Sequence, residues 1–209
     1  MADTLLARRR VRLRAMGHRY SPYRYDLPGQ ELLRLARGSI EYGLLHGESL
    51  PVDCQAFSPA LREPGATFTT VWLEDELRGC CGTIEAVRSL AEDVAYSAFR
   101  AAYRDSRFEA VRENELGVIR LEVSVLSPLE PLTVSGEAEL LEQLTPGTDG
   151  LVIFADGNRA TLLPKVWETI PEPRQFLDAL KAKCGLPTDF WSEQLEFQRY
   201  RTKTYSEPR

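Results

Sequence analysis

Two stretches of this chain follow one plan, and that repetition limits what the chain can fold into. In the first, "TFTTVWL" (67–73) is rich in β-branched and aromatic residues, "EDE" turns, and "LRGCCGTI" returns. Val87, Leu90, Ala91, Val94, Ala95, Ala98 and Ala102 then recur at helical spacing, and "GVIRLEVSVL" (117–126) is a further strand stopped by Pro128. In the second, "DGLVIFA" (149–155) is a strand, "DGN" a tight turn and "RATLLP" the return. Phe176, Leu177, Leu180 and Cys184 then mark one face of a helix ended by Gly185, and "LEFQRYRTKTYS" (195–206) is the closing strand. An arginine opens each returning strand, Arg78 and Arg159. Hairpins combined with crossover helices predict an α+β fold with a mixed or largely antiparallel sheet. The half-repeats span about 65–130 and 148–206 and share a pattern, with little residue identity.

Ahead of the first repeat, Leu32, Leu33, Ala36, Ile40 and Leu44 predict a helix from Pro28 to about Leu45. Pro51, Pro59, Pro64 and Gly65 make 48–66 a connector. Residues 28–209 are therefore expected to form a single domain. Residues 1–27 are expected to be a basic arm, solvated and disordered, and Met16 offers a second possible start.

Charge separates the arm from the body. Residues 1–19 carry six of the 26 basic side chains and, in Asp3, one of the 31 acidic ones. The rest holds 20 basic and 30 acidic residues, a balance that argues against a general nucleic-acid surface. The arm itself could touch RNA or a membrane. With no apolar run long enough to span a bilayer and no secretory h-region in "LLARRRVRLR", a cytoplasmic location is expected. Cys54, Cys80, Cys81 and Cys184 contain no C-x-x-C pair, and His18 and His46 lie in unrelated segments. No metal site is expected, and no cofactor motif occurs: "PGTDG" (146–150) lacks the G-K-[ST] of a phosphate loop.

Strand alternation assigns the cysteine stretch. Arg78, Cys80 and Gly82 share one face, and Gly79, Cys81 and Thr83 the other, so the two thiols diverge. Cys81 reads as a packing residue. Cys80, on the arginine's face, is a candidate nucleophile, since a guanidinium favours the thiolate, although a buried structural cysteine fits the same pattern. The same alternation joins Arg120, Glu122 and Ser124, and an Arg78–Glu122 pair is expected inside a polar cleft. Arg159 and Lys165 bracket "ATLLP" and, with Arg78, could form a basic pocket for a carboxylate or phosphate.

The blocks "LRGCCGT", "DSRF", "LEVSVLSP", "DGLVIFADGNRATLLPKV" and "FLDALKAKCGLPTDFW", in that order, resemble the AMMECR domain family, over roughly Gln30 to Glu207. Bacterial and archaeal members are called the A component of the AmmeMemoRadiSam system. The resemblance implies two pseudo-symmetric strand–strand–helix–strand repeats around a mixed, barrel-like sheet, with a cleft lined by the Leu-Arg-Gly-Cys stretch. It implies a pathway shared with Memo-like and radical S-adenosylmethionine proteins, and no established activity. Arg78, Gly79, Cys80 and Gly82 match its "RGC-x-G" block, Glu122 and Ser124 its "E-x-S-V-L" block, and Arg159 and Pro164 its second hairpin. Cys81, Ala160 and Lys165 depart from it. The expected function is an intracellular adaptor or ligand-binding protein whose cleft holds a small anionic molecule or a partner's segment. An enzyme using Cys80, with Glu122 moving protons, and a nucleic-acid-associated factor are the alternatives.

Overall fold

The structure, a computed structural model, describes residues 27–208. The expected arm, with Met16 and His18, therefore lies outside the described residues except for Leu27. The chain divides into two compact units, one running up to Val125 and resuming at Thr204, the other Leu126–Lys203.

The first unit contains α1 (Leu27–His46), α2 (Pro59–Arg62), β1 (Pro64–Gly65), β2 (Thr67–Leu73), β3 (Glu76–Gly82), β4 (Arg88–Ser89), α3 (Leu90–Tyr103) and β5 (Arg120–Leu126). The second contains β6 (Glu130–Leu132), α4 (Glu137–Gln143), β7 (Gly150–Ala155), β8 (Asn158–Leu162), α5 (Pro173–Lys183) and β9 (Glu196–Tyr200). The expected closing strand divides at Arg201: β9 pairs in the second sheet, and β10 (Thr202–Ser206) runs beside β5 in the first.

The fold is α+β, and the five registered strand pairs of the two four-stranded sheets are all antiparallel. Sheet orders are β10-β5-β2-β3 and β6-β9-β7-β8, with β1 and β4 forming a small separate ribbon. Instead of one mixed, barrel-like sheet, the strands form separate open sheets with no closed barrel among the described residues. The connections explain this. Each hairpin is followed by a helix whose exit strand returns beside the first hairpin strand, β5 beside β2 and β9 beside β7, so three strands of each sheet come from one half-repeat, while the first sheet takes β10 from the end of the chain.

Helix α3 starts at a capping box: Ser89 Oγ accepts from the Glu92 N–H, and the Glu92 carboxylate accepts from the Ser89 N–H. Its alanine-rich face packs with Leu35, Ala36 and Ile40 of α1 and with Val71, Leu121 and Val123 of the sheet. Small side chains bring helix and sheet close, and a methyl group at Gly79 would overlap the Ala101 carbonyl oxygen. Asp93, wholly buried on α3, accepts from the Thr67 N–H at 2.8 Å, Thr67 Oγ1 at 2.8 Å and Thr83 Oγ1 at 2.9 Å. Burial pushes this carboxyl up, and the threonine donors pull it back. The second core gathers Leu151, Ile153 and Phe197 of the sheet with Phe176, Leu177 and Leu180 of α5, and the Phe176 ring stacks on Trp167 at 3.8 Å. No described helix is long and apolar enough to cross a membrane.

Candidate functional site

Because β2 lies between β3 and β5, its registers align side chains across the first sheet. Thr70 faces Cys80 on one side and Glu122 on the other. Beyond Glu122, Ser206 of β10 donates to its Oε2 at 3.4 Å. Directly opposed residues share a face, so Cys80, Thr70, Glu122 and Ser206 form a polar row, one residue from each strand. The neighbouring row holds Gly82, Phe68, Ser124 and Thr204, with the Ser124 and Thr204 hydroxyls 2.9 Å apart. Thr67, Thr69 and Val71 alternate onto the other face, toward α3. Glu122 is 6% exposed, Thr70 and Ser124 8% each, whereas Cys80 is half-buried and Ser206 exposed. Gly82 accommodates the Phe68 ring, which a methyl group there would overlap.

Cys80 is held by both its backbone and its thiol. Strand β3 is a sheet edge, so backbone groups not bonded to β2 need another partner. Asp105 Oδ2 accepts from the Cys80 N–H at 2.9 Å, and Arg107 Nη2 donates to the Cys80 carbonyl at 3.4 Å. Arg107 also forks onto Asp105, Nε to Oδ1 at 3.0 Å and Nη2 to Oδ2 at 2.7 Å. The "DSRF" loop thus supplies side-chain bonds where a further strand would bond, and occupies the edge. The Arg107 bonds, helped by the Cys80 N–H, hold the Asp105 carboxyl down to about 2 against the opposing effect of burial. At the thiol, Thr70 Oγ1 donates to Sγ at 3.5 Å. Cys81, on the helix side, is pushed up by burial and then by Asp105, while Arg100 and Arg107 oppose the rise.

Arg78 does not pair with Glu122. Its Nε donates to Glu115 Oε1 at 2.8 Å and its Nη2 to Oε2 at 3.1 Å, while the Glu109 and Ala110 carbonyls accept at 2.5 and 3.1 Å. The expectation required β3 and β5 to be neighbours. With β2 between them, about 10 Å of sheet separates the two backbones. Arg78 instead anchors the loop that follows "DSRF".

Of the sequence-predicted site residues, Cys80, Glu122 and Ser124 come together on one face, and Gly79 and Gly82 make the close approaches beneath and beside it. Arg159 and Lys165 belong to the second unit. Arg159 borders a hollow of about 440 Å³ with Phe154, Asp156, Asn158, Gln194 and Glu196, and Lys165 is exposed on the 3-10 turn Pro164–Glu168. Among the described residues no group of three or more His, Cys, Asp or Glu side chains could hold a metal ion. His46 stacks on Tyr42 at the end of α1, ring centroids 3.8 Å apart. Sequence reasoning missed Thr70, Asp105, Arg107 and Glu115. For Asp105 and Arg107 a signal existed: an acid and an arginine two residues apart after a helix can satisfy the N–H and C=O of an edge strand.

The profile of the AMMECR1 family matches residues 33–205. A protein of Methanothermobacter thermautotrophicus is 32% identical over 195 residues, covering 90% of this chain and 98% of the relative. One from Aeropyrum pernix is 34% identical over 192 residues, 87% of this chain and 80% of that protein. Among solved structures, an uncharacterized protein from Pyrococcus horikoshii superposes with a TM-score of 0.79 at 30% identity, covering 86% of this chain and 91% of that one.

Proposed function

The chain belongs to the AMMECR1 family, and from that premise we propose that the protein is a binding protein in which the face of the first sheet opposite α3 contacts a small polar molecule or a partner's segment. The observation that carries this reading is the row Cys80–Thr70–Glu122–Ser206, which sets a thiol, two hydroxyls and a carboxylate in line across four strands. Its two central members are nearly buried, so a polar ligand group reaching them bonds in a low-dielectric setting, where a mismatched partner is costly. The backbone of Cys80 is fixed by Asp105 and Arg107, which suits a rigid contact surface. With Arg78 committed to Glu115, the cation beside the row is Arg107, whose side chain is 58% exposed and able to meet an anionic group.

One observation favours a second reading, a cysteine-dependent enzyme. Thr70 Oγ1 donates to the thiol at 3.5 Å and the Arg107 guanidinium donates to the carbonyl of the same residue at 3.4 Å, a hydroxyl donor and a neighbouring cation of the kind that activates a thiol. Alkylation separates the two. As a binding protein, Cys80 reacts with iodoacetamide at pH 7 no faster than half-buried Cys54, and Cys80→Ser folds normally. A Cys80 rate more than tenfold above that of Cys54 overturns the binding reading in favour of the enzyme. Co-purification with Memo-like and radical S-adenosylmethionine proteins, followed by mass spectrometry of retained small molecules, tests the partners that the family resemblance implies.

A further inference from the structure

The outward side of α3 carries a second feature that the polar row does not use. Tyr96 and Arg100, four residues apart, lie along one stripe of the helix, and Arg104 caps its C-terminal end. Arg88, just before the helix, places its guanidinium 4.1 Å from the Tyr96 ring centre, and that of Arg100 lies 5.6 Å from the same ring. Arg104 lies 5.6 Å from the Phe99 ring. Arg88 and Arg100 thus flank one ring, and Arg104, at the C-terminal end of the helix, adds a third guanidinium against Phe99.

Local structure does not account for this clustering. Arg100 in the last turn and Arg104 at the C-cap bring two like charges to one end of the helix. One cation near the last turn complements the helix dipole, but a second repels the first, and Arg88 sits at the N-terminal end, where the dipole disfavours a cation. Arg88 has Asp93 at 3.5 Å, whereas among the described residues neither Arg100 nor Arg104 forms an ion pair. Two carboxylates close in sequence are engaged elsewhere: Glu92 caps Ser89, and Asp105 holds Arg107. Guanidinium groups spread on aromatic faces keep their edges available for oxygen acceptors.

We propose that this strip of α3 docks an acidic polypeptide segment of a partner protein, its carboxylates meeting Arg88, Arg100 and Arg104. Charge selects the occupant. Outside the arginine-rich first 19 residues the chain holds 30 acidic against 20 basic residues, so a long polyanion running past the strip meets net negative charge. A short acidic segment confined to the strip does not.

Fluorescence polarisation of a labelled octaglutamate peptide against the full chain at low salt provides the test. A labelled 12-nucleotide single-stranded DNA is the comparison, and Arg34→Glu on α1 is a control with the same charge change per site. Saturable peptide binding is expected, weakened at least tenfold in Arg100→Glu/Arg104→Glu and in the milder Arg100→Gln/Arg104→Gln, and less than twofold in the control. It also weakens as salt rises, as expected for exposed charges. Absence of peptide binding at low salt, equal losses in the double and control variants, or tighter binding of the oligonucleotide than of the peptide each overturns the proposal. Unchanged far-UV circular dichroism of both double variants ties the loss to the strip rather than to unfolding.

Discussion

Removing Arg78 separates a structural anchor from a ligand contact. The guanidinium makes four bonds, two to the Glu115 carboxylate and two to loop carbonyls, and the paired side chains are only 14% and 15% exposed. A charge-assisted bond contributes roughly 1.5–3 kcal/mol and a neutral one about 1. Deleting one partner of a largely buried pair costs about 3–5 kcal/mol, because the other is left without its counter-ion. Arg78→Ala is therefore expected to lose about 3–5 kcal/mol. Arg78→Lys, which keeps the charge but not the fork, loses about 2 by the same bond values. Glu115→Gln and the double variant complete a cycle whose coupling is expected at about 1.5–3 kcal/mol. Urea titrations followed by far-UV circular dichroism give the free energies, and hydrogen exchange at the β3 amides reports the local effect. A coupling below about 0.5 kcal/mol, or an Arg78→Ala protein as stable as the parent, would refute the assignment of Arg78 to the fold and return it to the ligand site.

Three further outcomes follow from the same geometry. Asp105 has a lowered carboxyl pKa, so the stability it contributes is complete above its unfolded value near 4 and is lost as pH falls toward about 2. With exposed Arg107 discounted for solvent screening, Asp105→Asn removes roughly 1–2 kcal/mol at pH 7 and flattens stability between pH 4 and 2, measured by urea titration at each pH. Gly79→Ala, which forces a methyl group against the Ala101 carbonyl, costs more than about 2 kcal/mol, whereas Gly117→Ala, with open space around it, stays within about 1 kcal/mol in thermal unfolding. Lys181 is wholly buried and bonded to Glu137 and the Thr188 carbonyl, so Lys181→Ala destabilises the second unit by about 3 kcal/mol in urea titration, even though Arg174 also pairs with Glu137.

Much of the fold was legible because its signals are local. The helical spacing of Leu32, Leu33, Ala36 and Ile40 became α1, and both hairpins fell where β-branched runs flank acidic or Asp-Gly turns. The first turn carries no glycine yet still places Glu74 and Asp75 at positive φ, 51° and 64°. Misreadings came from non-local pairing. In "LEFQRYRTKTYS" the alternation lapses at Gln198 and Arg199, but no glycine or proline marks Arg201 as the point where the strand changes sheets. The short strand β6 and helix α4 lie in 127–148, where proline, glycine and acidic residues mask a weak periodicity.

The candidate site divides in the same way. Alternation along one strand depends only on backbone stereochemistry, so the segregation of Cys80 from Cys81, and of Glu122 and Ser124 from Leu121 and Val123, was determined by sequence alone. Which strands neighbour one another was not, because strand order follows from how helices and hairpins pack into a common core. That packing inserted β2 between Arg78 and Glu122, put Thr70 beside the thiol, and brought Asp105, Arg107 and Glu115 back onto the exposed edge of β3. Periodicity acts within a segment, whereas the partner of a charge is chosen by whatever the folded chain brings within hydrogen-bonding distance.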